Sequence, residues 1–389
     1  MRPNSIGLPK VLVPDNYRDG SAARSGQTTI VTRLQHICYQ DGIETKRRAI
    51  LSNLQEIRDH FQLLRNKNWS THDAESVFDH TLMPLIARAE HKHNPANHMT
   101  YEVNAFERIQ EFSATPRLTL ITNIPDQQHF VAMDIRNKGG KLSVVILDSI
   151  HAGFYDDSDL RKMTANMPPD SKTSIICLET QNASHGCRIF AFSITSKIAK
   201  SAQYIEALHD AHLNPQHSAF TQFTQARQVC SSSGVHVYTY PGSIPASFLK
   251  HSHSQKRLSL HYPGHRHQVI NKQGQTLVNR QQDKLIHRKK LKAFDNGFWY
   301  PVHLIFSASI EDKRIQYLER CIDYMREAGN EVVEEMTDIF NTLKELSTMP
   351  SQIGLQLDQR TSGPADAMQK RANYFNYEIL SLNNSSDDD

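Results

Sequence analysis

The chain is poor in cysteine, in uninterrupted apolar sequence and in net charge, and each shortage closes off a class of protein. Its 389 residues include five cysteines, Cys38, Cys177, Cys187, Cys230 and Cys321, an odd number with no CxxC pair. That argues against a disulfide framework and against the usual zinc sites, so no metal is expected. A reducing compartment is the natural reading, with room for one reactive thiol. No stretch approaches the roughly 20 apolar residues of a membrane-spanning helix, and no transmembrane segment is expected. The opening Met1-Arg2-Pro3 lacks the apolar core of a secretory signal and has arginine where myristoylation needs glycine.

What is present is unevenly placed. With 44 Lys and Arg against 41 Asp and Glu, the net charge is +3. Between Lys250 and Lys292 basic residues nevertheless greatly outnumber acidic ones, whereas the chain ends on Asp387-Asp388-Asp389. A concentrated basic segment in a near-neutral chain implies a local polyanion partner. The segment has no recognisable nucleic-acid module and few interleaved aromatics, so no nucleic-acid partner is expected.

Residues Met1 to about Thr29 are rich in Gly, Ser, Pro and Asn without periodicity and read as a flexible leader. From Lys46 to Arg65, the residues Ile50, Leu51, Leu54, Ile57, Phe61 and Leu64 recur at helical spacing, with Arg47, Arg48, Arg58 and Arg65 on or near the polar face. A second helix is expected to open near Thr71-His72-Asp73-Ala74-Glu75, its end blurred by Pro84. The middle of the chain is strand-like: Leu118–Ile124, Phe130–Ile135, Ser143–Leu147 and Ser174–Leu178 are short and rich in β-branched residues, and Asn137-Lys138-Gly139-Gly140 makes a hairpin turn. A short helix is expected over Asp157–Met167 and a largely buried one from Cys187 to Lys200. Pro241–Asn296 reads as turn-rich and basic, followed by helices over Glu311–Arg326 and Asn330–Met349. The fold class is therefore α+β. The expected division is a leader (1–40), a helical part (41–110), a catalytic core (111–240), a basic block with further helices (241–350) and a polar acidic tail (351–389).

His129 opens one strand, Asp148 ends the next, and Cys187 begins a helix after the fourth. A helix N-terminus favours a thiolate, an imidazole can take the thiol proton, and a carboxylate can hold the other ring nitrogen. Gln181, six residues before Cys187, could hold a developing oxyanion with the Cys187 N–H. Spacing alone is weak support, because 21 histidines and 41 acids guarantee some such trio. Cys177 and Cys230 compete for the nucleophile role; the first sits in an apolar strand and the second in an apparent loop.

Three segments carry more. His129-Phe130-Val131-Ala132-Met133-Asp134-Ile135, Val144-Val145-Ile146-Leu147-Asp148-Ser149 and Gln181-Asn182-Ala183-Ser184-His185-Gly186-Cys187-Arg188-Ile189-Phe190 resemble, in order and separation, the active-site blocks of the YopJ (AvrRxv) effectors. More distantly they resemble ubiquitin-like-protein proteases of the CE clan. Met83–Ala89 resembles a helix upstream of the family histidine, and Lys250–Leu258 with Val269–Lys272 and Thr276–Arg280 resembles its basic block. The resemblance spans roughly Lys46 to Met325, with one departure beside the nucleophile: Arg188 stands where many relatives carry glycine.

The resemblance implies a CE-clan cysteine-protease-like catalytic domain, with a helical regulatory domain formed by segments before and after it. It implies His129 as base, Asp148 as its orienting acid, Cys187 as nucleophile and Gln181 as oxyanion donor. The implied activity is acetyl transfer from acetyl-CoA to Ser, Thr or Lys of host signalling proteins such as kinases, with inositol hexakisphosphate as activator. Coenzyme A phosphates would fall to Lys250, His251, Lys256, Arg257 and Lys272, and the polyanion to Arg47, Arg48, Arg58, Lys313, Arg314 and Arg320. Lys250 also resembles a lysine that family members acetylate on themselves. The leader would then be a type III secretion signal and the host cell the site of action. A ubiquitin-like-protein protease with the same triad is the main alternative, and a non-enzymatic kinase-binding protein a third.

Overall fold

The computed structural model describes residues 30–348 except 32, 68–77, 80, 96–98, 128, 182–185, 215, 217 and 296–297, with 286–306 and 345–348 described by their backbone. Chain contacts divide the molecule after Lys344, and the described elements belong to the first unit apart from the last residues of the final helix. The expected leader and acidic tail lie almost wholly outside the described residues.

Helix α1 (Ile43–Asn66) buries Ile50, Leu54, Ile57, Phe61 and Leu64, the stripe its spacing predicts. Helix α2 (Met83–His93) carries Pro84 in its first turn, where a missing N–H costs nothing. Residues 78, 79 and 81 are helical as well, and a turn at Leu82 separates them from α2, so a helical stretch ends just before Pro84; Thr71–Glu75 lies outside the described residues. Strands β1 (Met99–Tyr101), β2 (Arg117–Asn123), β3 (Phe130–Lys138) and β4 (Lys141–Asp148) follow, then helix α3 (Asp157–Thr164) and β5 (Lys172–Cys177). The β3–β4 turn is tight because Gly139 and Gly140 take φ of 60° and 82°, the left-handed pair a two-residue hairpin loop demands. Next come α4 (Cys187–Lys200), α5 (Ala202–Leu213), α6 (Ser218–Thr224), β6 (Arg227–Ser232), β7 (Val235–Thr239), α7 (Gln255–His261) and α8 (Leu277–Lys284). A hairpin of β8 (Leu285–Asp295) and β9 (Phe298–Ser307) precedes α9 (Ala308–Arg326) and α10 (Asn330–Thr348).

Two hairpins were not expected from the sequence. Cys230 lies in edge strand β6 rather than in a loop, and β8 occupies part of the segment read as turn-rich. The sheet order is β1-β2-β3-β4-β5-β7-β6, with β4, β5 and β7 parallel and the hairpins antiparallel. One sheet face, with Val131, Met133, Val144, Ile146, Ile175 and Val237, packs on Phe106, Ile109, Leu160 and Met163. The opposite face, with Ala132, Val145, Leu147 and Ile176, receives Ile194 and Ile198 of α4 and Ile205 and Leu208 of α5. The first turns of α4 enter a further core with α1, α2, α9 and α10. Helix α4 is therefore the element shared between the sheet and the helical layer.

Polar links hold the helical layer together across the sequence. Lys46 on α1 reaches Glu334 on α10 at 2.8 Å, Arg65 meets Asp312 on α9 at 2.7 Å, and Arg88 on α2 meets Glu335 at 2.7 Å. Fully buried Asn341 on α10 clamps the backbone of Ile37, accepting from its N–H at 2.9 Å and donating to its C=O at 2.7 Å. Replacing it by alanine leaves two buried backbone groups unpaired, so Asn341→Ala should lower unfolding free energy by about 2–4 kcal/mol, read as a reduced urea midpoint.

Candidate active site

The β3–β4 register pairs Ala132 with Leu147. Continued outward it sets Val131 opposite Asp148, which makes His129 the diagonal neighbour of Asp148 on one sheet face. The side chains meet there: His129 Nε2 lies 2.8 Å and 2.9 Å from the two Asp148 carboxylate oxygens. Asp148 is fully buried, and its carboxylate also accepts from the Ile150 N–H at 3.2 Å and from the Tyr155 hydroxyl. With Nε2 engaged by Asp148, the hydrogen bond between His129 and the Cys187 thiol falls to Nδ1.

Cys187 is brought there by the chain leaving β5. Strands β4 and β5 run parallel and end together, with Asp148 beside Cys177. The connection is pinned by three backbone bonds: Leu178 N–H to Asp148 O at 2.7 Å, Gln181 N–H to Ser149 O at 2.8 Å, and His253 N–H to Thr180 O at 2.8 Å. Gly186 then turns into α4 with φ of 92°, a conformation that a side chain resists. The Gln181 amide is anchored through its oxygen, which accepts from the Ser149 hydroxyl at 2.8 Å, so its NH2 is the end presented as a donor. Cys177, by contrast, is fully buried in the core on the Val131 and Ile146 face of the sheet, and its thiol is pushed well up by burial and by nearby Asp148.

The electrostatics separate the two partners. Burial would lower the His129 pKa, but the Asp148 charge and its hydrogen bonds outweigh this and raise it to about 10. Burial would raise the Cys187 pKa, yet the His129 hydrogen bond and charge, Arg188 and the Phe130 N–H bring it down to about 7. The helix N-terminus acts in the same direction. At neutral pH His129 is therefore held as imidazolium, while Cys187 sits near the midpoint of its ionisation.

The basic residues are placed less as the sequence suggests. Arg314 is 2% exposed, doubly bonded to Asp79 at 2.7 and 2.8 Å and bonded to Glu311. Arg47 caps the end of α9, donating to Met325 O at 2.9 Å and Ala328 O at 2.7 Å. Arg320 pairs with Glu90, Arg58 with Asp59 at 2.6 Å, and exposed Arg48 donates to Glu44 O and Thr45 within its own helix. Carboxylates and carbonyls hold most of these arginines, from segments distant in sequence for Arg47, Arg314 and Arg320 and one residue away for Arg58. Of the coenzyme candidates, His251 is buried on Ser309 at 2.7 Å, Arg257 faces Glu179 at 3.5 Å, and Lys256 and Lys272 are exposed.

Lys250 and Lys313, assigned to different ligands by the sequence, instead line one cavity of about 350 Å3 with Arg280, Ser309, Asp312, Gln316 and Glu319. Lys197, near the end of α4, is within reach of the same charges: burial and then Lys250 and Lys313 push its pKa well down. Burial and Lys250 likewise lower Lys313 to about 8. Arg280 falls in the Thr276–Arg280 block quoted from the sequence, whereas Lys197 and Lys200 were not singled out, since their place beside it is made by the fold. Among the described residues no cluster of metal-ligating side chains occurs.

A carboxylate-held histidine facing a cysteine at a helix N-terminus, on a mixed sheet flanked by helices, defines the class of cysteine-centred acyl-transfer folds. The family model described as YopJ serine/threonine acetyltransferase matches residues 50–320, and the chain belongs to that family of acetyltransferases. No curated protein matches it significantly. Among solved structures, the AvrA variant delL154 with IP6 and CoA is 17% identical, covering 70% of this chain and 98% of that one, with a TM-score of 0.55. HopZ1a with IP6 and CoA is also 17% identical, covering 72% and 98%, with a TM-score of 0.54. At this identity the likenesses show a shared fold.

Alkylation of Cys187 by iodoacetamide, followed by peptide mass mapping, should rise with pH through a midpoint near 7, and His129→Ala should move that midpoint toward 9. A native midpoint near 9 would contradict the pairing.

Proposed function

We propose that this chain moves an acetyl group from acetyl-CoA to a Ser, Thr or Lys of a host signalling protein such as a kinase, through an acetyl-Cys187 intermediate. The observation that carries the reading is the buried Asp148–His129–Cys187 relay at the N-terminus of α4 within the family-matched segment. The Cys187 thiolate attacks the acetyl carbon, the bond to the donor sulfur breaks, and the departing thiol takes the His129 proton. The Gln181 amide and the Cys187 N–H hold the oxygen that becomes negative. An acceptor hydroxyl or amine then gives its proton to His129 while attacking the thioester, and Cys187 leaves as thiolate.

Inositol hexakisphosphate is proposed as activator, bound at the cavity of Lys250, Arg280 and Lys313 with Lys197 and Lys200 beside it. The fit rests on charge: among the described residues Lys197, Lys250 and Arg280 form no ion pair, and the Arg280 Nε is buried without a hydrogen-bond partner. Clustered cations that depress one another's pKa are relieved by a polyphosphate. AvrA and HopZ1a have been solved with IP6 and CoA, which supports the same two ligands for this chain. Type III secretion into a host cell follows as the proposed route.

Purified protein given acetyl-CoA should gain acetyl mass when inositol hexakisphosphate is present, and Cys187→Ala should not. Absence of incorporation by folded protein under all conditions would sink this reading and direct the triad to ubiquitin-like conjugates. Lys313→Met should weaken inositol hexakisphosphate binding about tenfold by calorimetry, the loss of one charge-assisted contact, whereas Arg58→Met should leave it within about twofold.

A further inference from the structure

Arg188 follows the nucleophile directly, and its environment is unusual for an arginine. The residue is 7% exposed. Its guanidinium carbon lies 4.6 Å from the centroid of the Phe130 ring, whose ring in turn stacks on Tyr101 at 6.1 Å. Its Nε is buried with no hydrogen-bond partner, and among the described residues no carboxylate pairs with it. A permanent cation removed from water without an anion is costly.

The other cation at this turn behaves differently. Arg314 comes within 3.9 Å of where a Cβ on Gly186 would lie, but Asp79 and Glu311 neutralise it. Among the described residues, the remaining charges that face Cys187 are His129, itself balanced by Asp148, and Arg188. Tyr101, held protonated by burial, is the other titratable group facing Arg188. The anion missing from the Arg188 pocket is thus supplied when Cys187 ionises.

We propose that Arg188 is a positioning residue that provides the standing counter-charge of the Cys187 thiolate. The inference rests on Cys187 being the nucleophile. The interaction exists when sulfur carries charge and disappears when it carries acetyl. It therefore favours the step in which the sulfur–acyl bond breaks, the electron pair stays on sulfur and the acceptor proton goes to His129. In this chain the face of Phe130 supports the guanidinium in place.

The test compares Arg188→Met, which keeps the stem packed on Phe130, with Arg188→Lys, which keeps the charge. In Arg188→Met the pH midpoint of Cys187 alkylation should rise by about one unit, which is about tenfold less thiolate on the acid side of the transition. Arg188→Lys should hold the midpoint within a few tenths of a unit. In acetyl transfer, Arg188→Met should lower kcat with KM for acetyl-CoA unchanged. An unchanged midpoint in folded Arg188→Met would overturn the proposal and leave Arg188 as packing. A raised KM with an unchanged midpoint would also overturn it, and would assign the guanidinium to a substrate anion. Because alkylation needs no acetyl donor, a shifted midpoint in a chain without transferase activity would uphold the counter-charge while the acetyltransferase reading failed.

Discussion

Burial of helix α4 on nearly every side, with its first residue still available for chemistry, is the constraint from which the rest of the architecture follows. Eleven of its fourteen residues are buried, and they divide between two cores. Ile194 and Ile198 seat the helix on the sheet, whereas Ile189, Phe190 and Phe192 need a second apolar surface above it. The helices α1, α2, α9 and α10 are that surface. A helix apolar all round has no freedom to roll, so the position of Cys187 is set by packing on both sides. The sheet in turn delivers His129 and Asp148 to the same place by register alone.

Charge is handled in two ways around this helix. At its beginning Arg314 is locked between two carboxylates, Asp79 and Glu311, close to the glycine that turns the chain into α4. At its end Lys197, with Lys250 and Lys313, sits among like charges. The first arrangement is complete in itself. In the second, Lys197 and Lys250 form no ion pair among the described residues, and under the proposed function a bound polyphosphate would link the far end of the nucleophile helix to α9.

Much of this was legible in the sequence, and for reasons that differ by element. The strands from Leu118 to Leu178 show because β-branched runs broken by Gly139-Gly140 leave little alternative, and α1 shows through its apolar spacing. The Cys187 helix was legible from its apolar content, and the quoted blocks pointed to the side chains that the structure gathers. The hairpin β6–β7 was obscured by the polar sequence of an exposed edge strand, Arg227 to Ser232, which lacks the alternation of a half-buried one. The partners of the arginines met a different limit. An arginine on a helical face looks available in a sequence, and only the fold shows that Asp79 or Glu90, more than 200 residues away, already holds it. Lys250 and Lys313 likewise look unrelated until α9 is laid beside the basic block.

The clamp of Asn341 on Ile37 closes a loop of 304 residues. Segments from the two ends of the described chain thus share one apolar layer, and that layer is what presses α4 onto the sheet. Closing so long a loop must come late in folding, after most of its entropy cost has been met. A ribosome-bound chain that has released the triad but not α10 would expose the underside of α4 and the apolar faces of α1 and α2. Such a species is a natural client for a chaperone, and an easier thread to pull through a narrow opening than the finished molecule.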